Sequence, residues 1–561
     1  MNHQATGLVI STGWTSIRSL VRTKVLFFSF PGIDTMAALF APFAEDKPDD
    51  IALVDDFGET SWTDFNSRVN QLIHALRGAG LEVGDTFSVI SGNRREYIEA
   101  FAAASHGGWL LAPVNWHLVA EEVAYVLADS GSKALLVDTR FIELGEATLE
   151  QAECPNLNAV IIIGAEASNF AEETESFTLY EDFIADASKA EPENQTLGGP
   201  MFYTSGTTGK PKGVKSGLSQ TGAPVETLKM IGEGLSGMLG IEPGGKSLLV
   251  GPIYHSAQWA FSFLPLLSGS SIVMRHKFDA GETLTLIDQH SITNTHLVPT
   301  QFTRMLRLTE DEKKAFKGDS LTVVWHGAAP CPPEIKKQMI AWWGPVISEY
   351  YGSTEGAIVT TVNSEDWLNR PGTLGKPTAV TEILVIKEDG TTAPTGEPGQ
   401  LYVRNLMGSD FEYHNDPEKT EKAHLEPGVY TFGDIGYLDE DGYLFMSDRK
   451  IDMIISGGVN IYPAEIEAVL IGHPAVMDAA VFGIPNDEFG EEVKGAVELA
   501  AGIEPGEQLE EEIIAHCREH LAGFKIPRSI DFEQTLPRHP TGKLLKRLLR
   551  DKYWQDTGRN I

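Results

Sequence analysis

Helix-like and strand-like patterns alternate through the first quarter of the chain. Three helix-like segments, each followed by a short apolar run, lie at 65–76 and 87–90, at 96–106 and 110–114, and at 120–128 and 134–137. Helices that alternate with short buried strands favour parallel βαβ units, because parallel neighbours need a helical crossover between them. The sequence therefore predicts an α/β fold with parallel layers.

The pattern changes twice further along the chain. Between Arg370 and Gly442, turns separate many short apolar runs, which indicates a β-rich subdomain. After residues 448–452 a helix is predicted to begin at Pro463, whose fixed φ suits a first helical position, and strand-like and helix-like segments follow it. We therefore expect an N-terminal extension (1–35), a large domain of several subdomains (36–448) and a small α+β C-terminal domain (449–561).

Composition excludes several classes of partner. The 561 residues carry a formal net charge of −35, which repels nucleic acids and anionic membranes at long range, so no nucleic acid partner is expected. No apolar run reaches the length of a membrane span. Cys154, Cys331 and Cys517 show no paired spacing for zinc or disulfides, which favours a reducing, cytoplasmic location.

One loop, residues 203–214, combines glycines, small hydroxyl residues and lysines. Glycines let backbone N–H groups approach phosphate oxygens, hydroxyl groups donate further hydrogen bonds, and lysines supply positive charge. The loop suits a triphosphate, although a flexible, solvated loop is the plain alternative. The residues expected to contact the nucleotide here are Thr204, Ser205, Gly206, Thr207, Thr208, Gly209, Lys210 and Lys212.

A second glycine-rich segment, residues 240–247, matches the P-loop pattern G-x-x-x-x-G-K-[ST]. That motif binds phosphate where a strand leads in and a helix leads out, so that the helix N-terminus faces the anion. Here a helix-like segment from Glu226 leads in and the apolar run 248–250 leads out. We therefore predict that this match is not a nucleotide site.

Four further segments follow the phosphate-binding loop, at 327–330, 350–356, 430–434 and 540–543. In this order they resemble the adenylate-forming superfamily, which includes acyl-CoA synthetases, peptide-synthetase adenylation domains and beetle luciferases. The resemblance runs from about Met36 to the C-terminus. It implies an AMP-forming acyl-CoA synthetase, a ligase of the kind used in fatty acid metabolism, with ATP, Mg²⁺ and coenzyme A as cosubstrates and cofactor. An acid and ATP would give acyl-AMP and pyrophosphate, and CoA would then give acyl-CoA and AMP.

Three residues would be catalytic. Glu355 offers a carboxylate, which Mg²⁺ prefers together with phosphate oxygens and water, and by resemblance it is the magnesium ligand with Thr354 beside the α-phosphate. Lys543 lies in a Pro/Gly turn that can extend a cation into a neighbouring domain. The resemblance assigns it to bridging the substrate carboxylate and the α-phosphate. Considered alone, Glu355 would be an ion-pair partner and Lys543 a solvated surface cation.

The resemblance also places the adenosine. Asp434 has two acceptor oxygens that suit the ribose hydroxyls, and Arg449 looks like a second ribose contact. An aspartate that caps a helix or turn is the structural alternative. The adenine would pack on Tyr351 and over a strip of small residues. The other implied nucleotide contacts are Gly327, Ala328, Ala329 and Gly352.

The acid pocket, again by resemblance, is lined by His255, Gln258, Trp259, Phe261 and Ala357. These side chains suggest a mainly apolar cavity with one amide, hence a medium-length, branched or cyclic acid and not acetate. His255 is interpreted as a gating residue and not as a base, because the carboxylate and then the thiol are the nucleophiles; a core histidine is the alternative.

In the superfamily the small domain is mobile, so that the loop of Lys543 leaves the site and a second loop arrives for the CoA step. By resemblance this second loop contains Gly457 and Gly458, whose missing side chains would let the pantetheine arm pass close to the backbone. One departure stands out: Ile451 occupies a pivot position where the family generally has Asp or Lys. We expect the domain swing to be differently balanced here.

Two alternatives stay open. The chain would be an acyl-AMP ligase that loads a carrier protein, or a non-catalytic nucleotide-binding protein that kept the fold. The presence of Lys543, Glu355 and Asp434 argues against the second. The expected partners are a small carboxylic acid, ATP and CoA, and a homodimer is the assembly left open.

Overall fold

The computed structural model describes residues 39–164, 177–205, 211–449, 452–456, 459–486, 489–538 and 544–554. For residues 205, 357, 447–449 and 460 it describes the backbone alone. The predicted N-terminal extension, 1–35, lies outside the described residues. Among the described helices, none combines the length and the apolar character that crossing a membrane requires.

The first part of the described chain contains the alternating elements predicted from the sequence. They are α1 (Ala41–Asp46), β1 (Ile51–Asp55), β2 (Gly58–Ser61), α2 (Trp62–Gly78), β3 (Thr86–Ile90), α3 (Arg95–Gly107), β4 (Leu110–Pro113), α4 (Ala120–Ser130), β5 (Ala134–Asp138), α5 (Ile142–Gln151), β6 (Ala159–Ile163), β7 (Thr178–Leu179), α6 (Tyr180–Ala185) and β8 (Gly199–Pro200). Strands β7-β6-β5-β3-β4-β8 form one sheet in which every pair is parallel. The predicted parallel α/β architecture is confirmed.

The second layer is a nine-stranded sheet built mainly from the middle of the chain. The elements of this part are β9 (Phe202–Ser205), β10 (Pro211–Lys215), α7 (Glu226–Met238), β11 (Lys246–Leu249), α8 (Ser256–Leu266), β12 (Ser271–Met274), α9 (Ala280–His290), β13 (Asn294–Leu297), α10 (Pro299–Leu306), α11 (Glu310–Ala315), β14 (Val323–His326), α12 (Pro333–Trp343), β15 (Ile347–Ser353), β16 (Ala357–Val362), α13 (Ser364–Asn369) and β17 (Lys376–Pro377). The strand order is β17-β16-β15-β14-β13-β11-β12-β1-β2, with parallel pairing from β15 to β1.

The segment that matches the P-loop pattern joins helix α7 to strand β11. A helix enters and a strand leaves, which is the reverse of the order that phosphate binding requires. The prediction that this match is not a nucleotide site is therefore supported by the local geometry.

Helix α3 lies between the two sheets, in contact with β4 and β8 of the first and with β1 of the second. Nearly all of its side chains are buried, including a run of three alanines at 102–104. A helix that is buried all round needs small residues on every side, because backbones approach closely on each face. The main core therefore runs through both layers.

A β-rich part follows, as predicted for residues 370–442. It contains β18 (Thr381–Ile386), β19 (Gly399–Asn405), β20 (Glu412–Tyr413), α14 (Pro417–Ala423), β21 (His424–Glu426), β22 (Val429–Tyr430), β23 (Asp434–Leu438) and β24 (Leu444–Arg449). Six of these strands form an antiparallel sheet, whereas β20 pairs with β10 beside β9 in a separate three-stranded sheet.

The C-terminal part is α+β, with β25 (Ile454–Ser456), β26 (Val459–Ile461), α15 (Pro463–Ile471), β27 (Val476–Asn486), β28 (Gly490–Leu499), α16 (Glu507–His520), β29 (Ser529–Glu533) and α17 (Lys546–Trp554). The helix predicted at Pro463 begins there, with the proline in its first turn. Ile454, Ile466, Val481 and Ile513 belong to an apolar cluster made only of residues from this part. A separate core is what an independently moving domain requires.

Candidate active site

Two of the predicted motifs meet at the carboxyl ends of β14 and β15, which are parallel neighbours with His326 beside Glu349. Gly327 follows β14 and faces Tyr350: a Cβ added at Gly327 would lie 2.5 Å from Cε1 of that ring. The next residue, Ala328, has φ +66°, a left-handed conformation that non-glycine residues seldom adopt. Such strain clusters at ligand sites, and the carboxyl edge of a parallel sheet is where ligands of α/β proteins bind.

Strand β15 is fixed by a buried ion pair just before this motif. Lys336 Nζ of helix α12 lies 2.6 Å from Glu349 Oε2, and both side chains are almost completely excluded from solvent. Burial raises the pKa of Glu349, while the Lys336 ammonium opposes that rise. Burial and Lys336 hold the pKa of His326 well below its usual value, so this third member of the group is neutral.

A buried hydrogen bond joins the end of β15 to the β-rich sheet. The Tyr351 hydroxyl donates to Asp434 Oδ2 over 2.6 Å, and the two residues are 7% and 3% exposed. Asp434 begins β23 and lies directly opposite Arg449 in the register of β23 and β24. Tyr351 and Asp434 are 83 positions apart in the sequence but in contact in the fold. Three residues predicted to surround the adenosine are thus neighbours.

The turn between β15 and β16 carries Thr354 and Glu355. Thr354 Oγ1 lies 2.9 Å from Ser256 Oγ, at the start of helix α8. Glu355 Oε1 accepts a hydrogen bond of 3.0 Å from the Tyr413 hydroxyl of β20. Burial and the Glu355 carboxylate raise the pKa of Tyr413, so the phenol is a permanent donor. The turn is therefore attached both to α8 and to the three-stranded sheet.

The predicted phosphate loop closes the hairpin of β9 and β10, in which Thr204 lies opposite Lys212. Lys212 forms an ion pair with Asp416, whose carboxylate also accepts the Lys419 N–H over 3.0 Å and so caps helix α14. The ammonium of Lys419 lies 4.3 Å from the centre of the Tyr413 ring. Burial, and to a lesser degree Lys212, lower the pKa of Lys419. Lys419 therefore stands beside the Glu355–Tyr413 pair, and Lys212 is held at the start of the same helix by Asp416.

Helix α8 presents two different faces. Gln258 Nε2 donates to His296 Nδ1 over 2.8 Å, which leaves the ring proton on Nε2, 3.1 Å from the Tyr350 hydroxyl. Burial lowers the pKa of His296 to about 3, so the ring is neutral. The Phe261 ring stacks on it, 4.9 Å between centres. On the other face, Trp259 packs in the main core with Phe263.

Comparison with known families shows which family the chain belongs to. A family model described as AMP-binding enzyme matches residues 40–407, and one described as AMP-binding enzyme C-terminal domain matches residues 465–543. The chain belongs to the AMP-binding enzyme family.

Individual relatives agree with this family. A long-chain-fatty-acid–CoA ligase of Mycobacterium tuberculosis, FadD13, is 31% identical over 499 residues, covering 88% of this chain and 93% of that ligase. A fatty acid–[acyl-carrier-protein] ligase of Streptomyces coeruleorubidus, ScoC, is 30% identical over 538 residues, 95% of this chain and 99% of that ligase. The solved o-succinylbenzoate CoA synthetase (MenE) of Bacillus subtilis, in complex with its acyl-adenylate intermediate, superposes with a TM-score of 0.77 at 26% identity, covering 92% and 98% of the two chains.

The chain is therefore an enzyme of the acyl-CoA synthetase type, with the α/β fold of the adenylate-forming superfamily. ATP and a thiol acceptor are the cosubstrates of such ligases. The resemblance read from the five motifs is confirmed at the level of the family.

Several residues predicted for this AMP-binding enzyme lie outside the described part of the chain. They are Gly206, Thr207, Thr208, Gly209, Lys210, Ile451, Gly457, Gly458 and Lys543, while Ser205, Ala357 and Arg449 are described only by their backbone. Their roles stay predictions. The described flanks are informative for one of them: Arg538 and Leu544 pair across the loop of Lys543, and Arg538 binds both carboxylate oxygens of Asp478 at 2.6 and 2.7 Å.

Sequence reasoning missed the partners that hold the predicted residues in place. They are Ser256, His296, Lys336, Glu349, Tyr413, Asp416 and Lys419. One local signal was available, since Asp416 followed by Pro417 is a common start of a helix. Ser256, His296 and Tyr413 reach their partners through long-range pairing that no local pattern encodes. His255 is half-buried at the residue before α8, which leaves its gating role a prediction.

Proposed function

We propose that this enzyme is an ATP-dependent carboxylic acid–CoA ligase. In the first half-reaction a carboxylate oxygen of the acid attacks the α-phosphorus of ATP, the bond to the β-phosphate breaks, and pyrophosphate leaves. In the second, the CoA thiol loses its proton, attacks the acyl carbon and expels AMP. The observation that carries the proposal is the buried Tyr351–Asp434 contact, which brings together the residues predicted to bind adenine and ribose, near the strained turn at Ala328.

The adenosine fits this corner for physical reasons. The absence of a side chain at Gly327 lets the Tyr350 ring pack against the end of β14, and the neighbouring ring of Tyr351 offers an apolar face to the adenine. Asp434 can accept from the ribose hydroxyls because a carboxylate has acceptor sites beyond the one that Tyr351 occupies. Arg449, opposite Asp434, would add a donor to the same sugar.

Glu355 fits a magnesium ion. One of its oxygens is fixed by the Tyr413 hydroxyl, so the carboxylate is oriented and its second oxygen is available to a hard cation. When bound, Mg²⁺ would neutralise phosphate charge. The chain's own contribution is the pair of lysines, Lys212 and Lys419, and the Thr354 hydroxyl beside Glu355; preorganised donors of this kind are typically worth about 3–4 kcal/mol each in the transition state.

The small domain, residues 449–561, would serve the two half-reactions in turn. Lys543 would bridge the acid and the α-phosphate during adenylation, from a loop whose base is held by the Arg538–Asp478 pair. The hairpin of β25 and β26 would then bring Gly457 and Gly458 to the site. Its described residues Ile455 and Val459 are exposed apolar side chains, which suits a surface that becomes covered during the CoA step.

The acid pocket is proposed to lie between α8 and the ends of β13 to β15. Phe261, Trp325 and Tyr350 form an aromatic cluster, with Gln258 and the neutral His296 as its polar side. Trp325 Nε1 donates to the Leu239 carbonyl over 2.9 Å. These two residues separate the cluster from an open groove of about 380 Å³. A pocket that ends at the Trp325 indole would accept a medium-length, branched or cyclic acid more readily than a long chain.

Substituting Trp325 tests this limit. Trp325→Ala should move the best substrate in a series of straight-chain acids to longer members, because it opens the cluster toward the groove. Trp342→Ala is the matched control, since Trp342 also donates to a backbone carbonyl, that of Lys313, but lies in another apolar cluster. Trp325→Leu leaves a smaller gap and replaces the alanine variant if that variant fails to fold. An unchanged length profile in a folded variant contradicts the proposed pocket.

A carrier protein is the second candidate acceptor, favoured by the similarity to ScoC over 95% of the chain. ATP–pyrophosphate exchange over a panel of aliphatic, aromatic and cyclic acids identifies the acid. AMP release with CoA, and in parallel with a phosphopantetheinylated carrier protein, identifies the thiol. AMP release with the carrier protein alone would identify the carrier, and not CoA, as the acceptor. ATP–pyrophosphate exchange that is fastest with acetate or an amino acid would overturn the proposed acid. The cytoplasmic location and a homodimer stay predictions.

A further inference from the structure

Three potential metal ligands share one face at the end of helix α16. His516, Glu519 and His520 are spaced i, i+3 and i+4, which places them side by side on the helix surface. One ligand atom from each lies within 4.8 Å of the other two. His516 is half-buried, whereas Glu519 and His520 are exposed. None of the three belongs to the motifs of the proposed adenylation site.

Backbone carbonyls fix the orientation of both histidine rings. His516 Nε2 lies 3.2 Å from the carbonyl oxygen of Val469, and His520 Nδ1 lies 2.8 Å from that of His516. A carbonyl only accepts hydrogen bonds, so these two nitrogens carry the ring protons. In the neutral rings the lone pairs are therefore on Nδ1 of His516 and Nε2 of His520. Histidines that bind metals are oriented in this way, with the second nitrogen donating to a carbonyl or carboxylate.

The donor set selects a class of ion. Two imidazole nitrogens and one carboxylate oxygen suit Zn²⁺ and the neighbouring first-row metals, whereas Mg²⁺ and Ca²⁺ prefer oxygen ligands alone. Water would complete the coordination at this exposed position. We propose that His516, Glu519 and His520 form a binding site for a divalent transition-metal ion of the Zn²⁺ type on the small domain.

Such an ion would act on the small domain itself. Val469 is in the last turn of α15, where its carbonyl accepts both the N–H of the capping residue Gly472 and the ring N–H of His516. The hydrogen bond from His516 already ties α16 to that turn, and the His473 ring packs against His516 with 5.4 Å between centres. A metal ion would hold His516 in this orientation. Binding to the folded state alone then raises the stability of the domain by mass action.

The test uses untagged full-length protein without nucleotide, titrated with Zn²⁺ against a chromophoric chelator. One site per chain is expected, and His520→Ala should weaken it at least about tenfold, the scale seen even when a partner of a metal ligand is lost. His516→Ala should do the same, and Co²⁺ should give a visible absorption band that both variants lose. His74→Ala is the matched control, because His74 of α2 also bonds to a backbone carbonyl, that of Ala190.

A second measurement separates binding from misfolding. Zn²⁺ should raise the urea midpoint of the wild type and of His74→Ala, and leave that of His520→Ala unchanged. His520 contacts the carbonyl and the ring of His516, both within α16, whereas the tie to α15 is made by His516, so the His520 variant keeps the tie between the helices. Zn²⁺ binding that persists in the double variant His516→Ala/His520→Ala, for instance at the three cysteines, would overturn the proposal, as would a wild type that shows no binding.

Discussion

The ribose role of Asp434 allows a prediction whose size follows from the structure. Asp434 is 3% exposed and is oriented by the 2.6 Å hydrogen bond from Tyr351. A hydrogen bond to a charged group contributes about 1.5–3 kcal/mol, which corresponds to roughly 10- to 150-fold in affinity. If Asp434 accepts from the ribose, the wild type should bind 3′-deoxy-ATP weaker than ATP by this factor. In Asp434→Ala the two nucleotides should bind nearly equally.

The comparison forms a thermodynamic cycle, measured by calorimetry without an acid substrate so that no reaction follows binding. Removing the carboxylate also takes an acceptor from the buried Tyr351 hydroxyl, at a cost of about 1–3 kcal/mol in stability. The double variant Tyr351→Phe/Asp434→Ala removes that cost and repeats the cycle. Glu440→Ala, an exposed carboxylate in the turn after β23, is the control and should leave the ratio unchanged. Full discrimination in the Asp434 variants would refute the ribose assignment.

Four further predictions concern the two half-reactions and the stability of the site. Lys543→Ala should abolish acyl-AMP formation but largely spare thioester formation from supplied acyl-adenylate; equal loss of both steps contradicts the domain swing. Gly458→Trp should impair mainly the CoA step, measured as AMP release relative to pyrophosphate exchange. Lys336→Met should lower the free energy of unfolding by about 3–5 kcal/mol in urea titrations, while adding Glu349→Leu should recover most of it; no recovery would contradict the buried ion pair. The pKa of His296 is about 3 in the folded protein, below its unfolded value of 6.5, so its contribution to stability is lost as pH falls below 6.5. From pH 7 to pH 5 this loss is about 2 kcal/mol, and urea unfolding of His296→Gln should show a drop smaller by that amount.

Local patterns predicted those parts of the fold that local physics determines. The alternating segments between 65 and 137 coincide with observed helices and strands, since burial on one or both faces imposes a period on the sequence. Pro463 begins a helix because its ring fixes φ and its missing N–H costs nothing there. The P-loop match could be rejected because the sequence around it already indicated a helix before the segment and a strand after it.

Pairing between distant segments could not be predicted in this way. Strand β1, near the start of the described chain, pairs with β12 in the nine-stranded sheet, more than 200 residues later. The Tyr413–Glu355 bond joins residues 58 positions apart, and Tyr413 stands in a strand of two residues with no periodic signal. Trp259 shows that residue type alone does not tell which side chains line a pocket. Its indole packs into the main core, whereas Gln258 and Phe261 lie on the other face of α8.

The electrostatics of the site resolve a conflict posed by the sequence. A chain with a net charge of −35 has to bind a triphosphate, which long-range repulsion opposes. The structure answers with local cations that already have anionic partners: Lys212 is paired with Asp416, and Glu355 lies close enough to Lys419 to affect its pKa. When a triphosphate binds Lys212, the lysine exchanges one anionic partner for another, so no unpaired ammonium has to be desolvated first. Such an exchange costs little when the competing carboxylate is half-exposed and can be rehydrated, as Asp416 can.

Screening by salt weakens the repulsion from the distant surface charges more than it weakens these short contacts. Nucleotide affinity should therefore hold or rise with moderate salt, and a steep fall would show that exposed cations, and not this exchange, bind the phosphates.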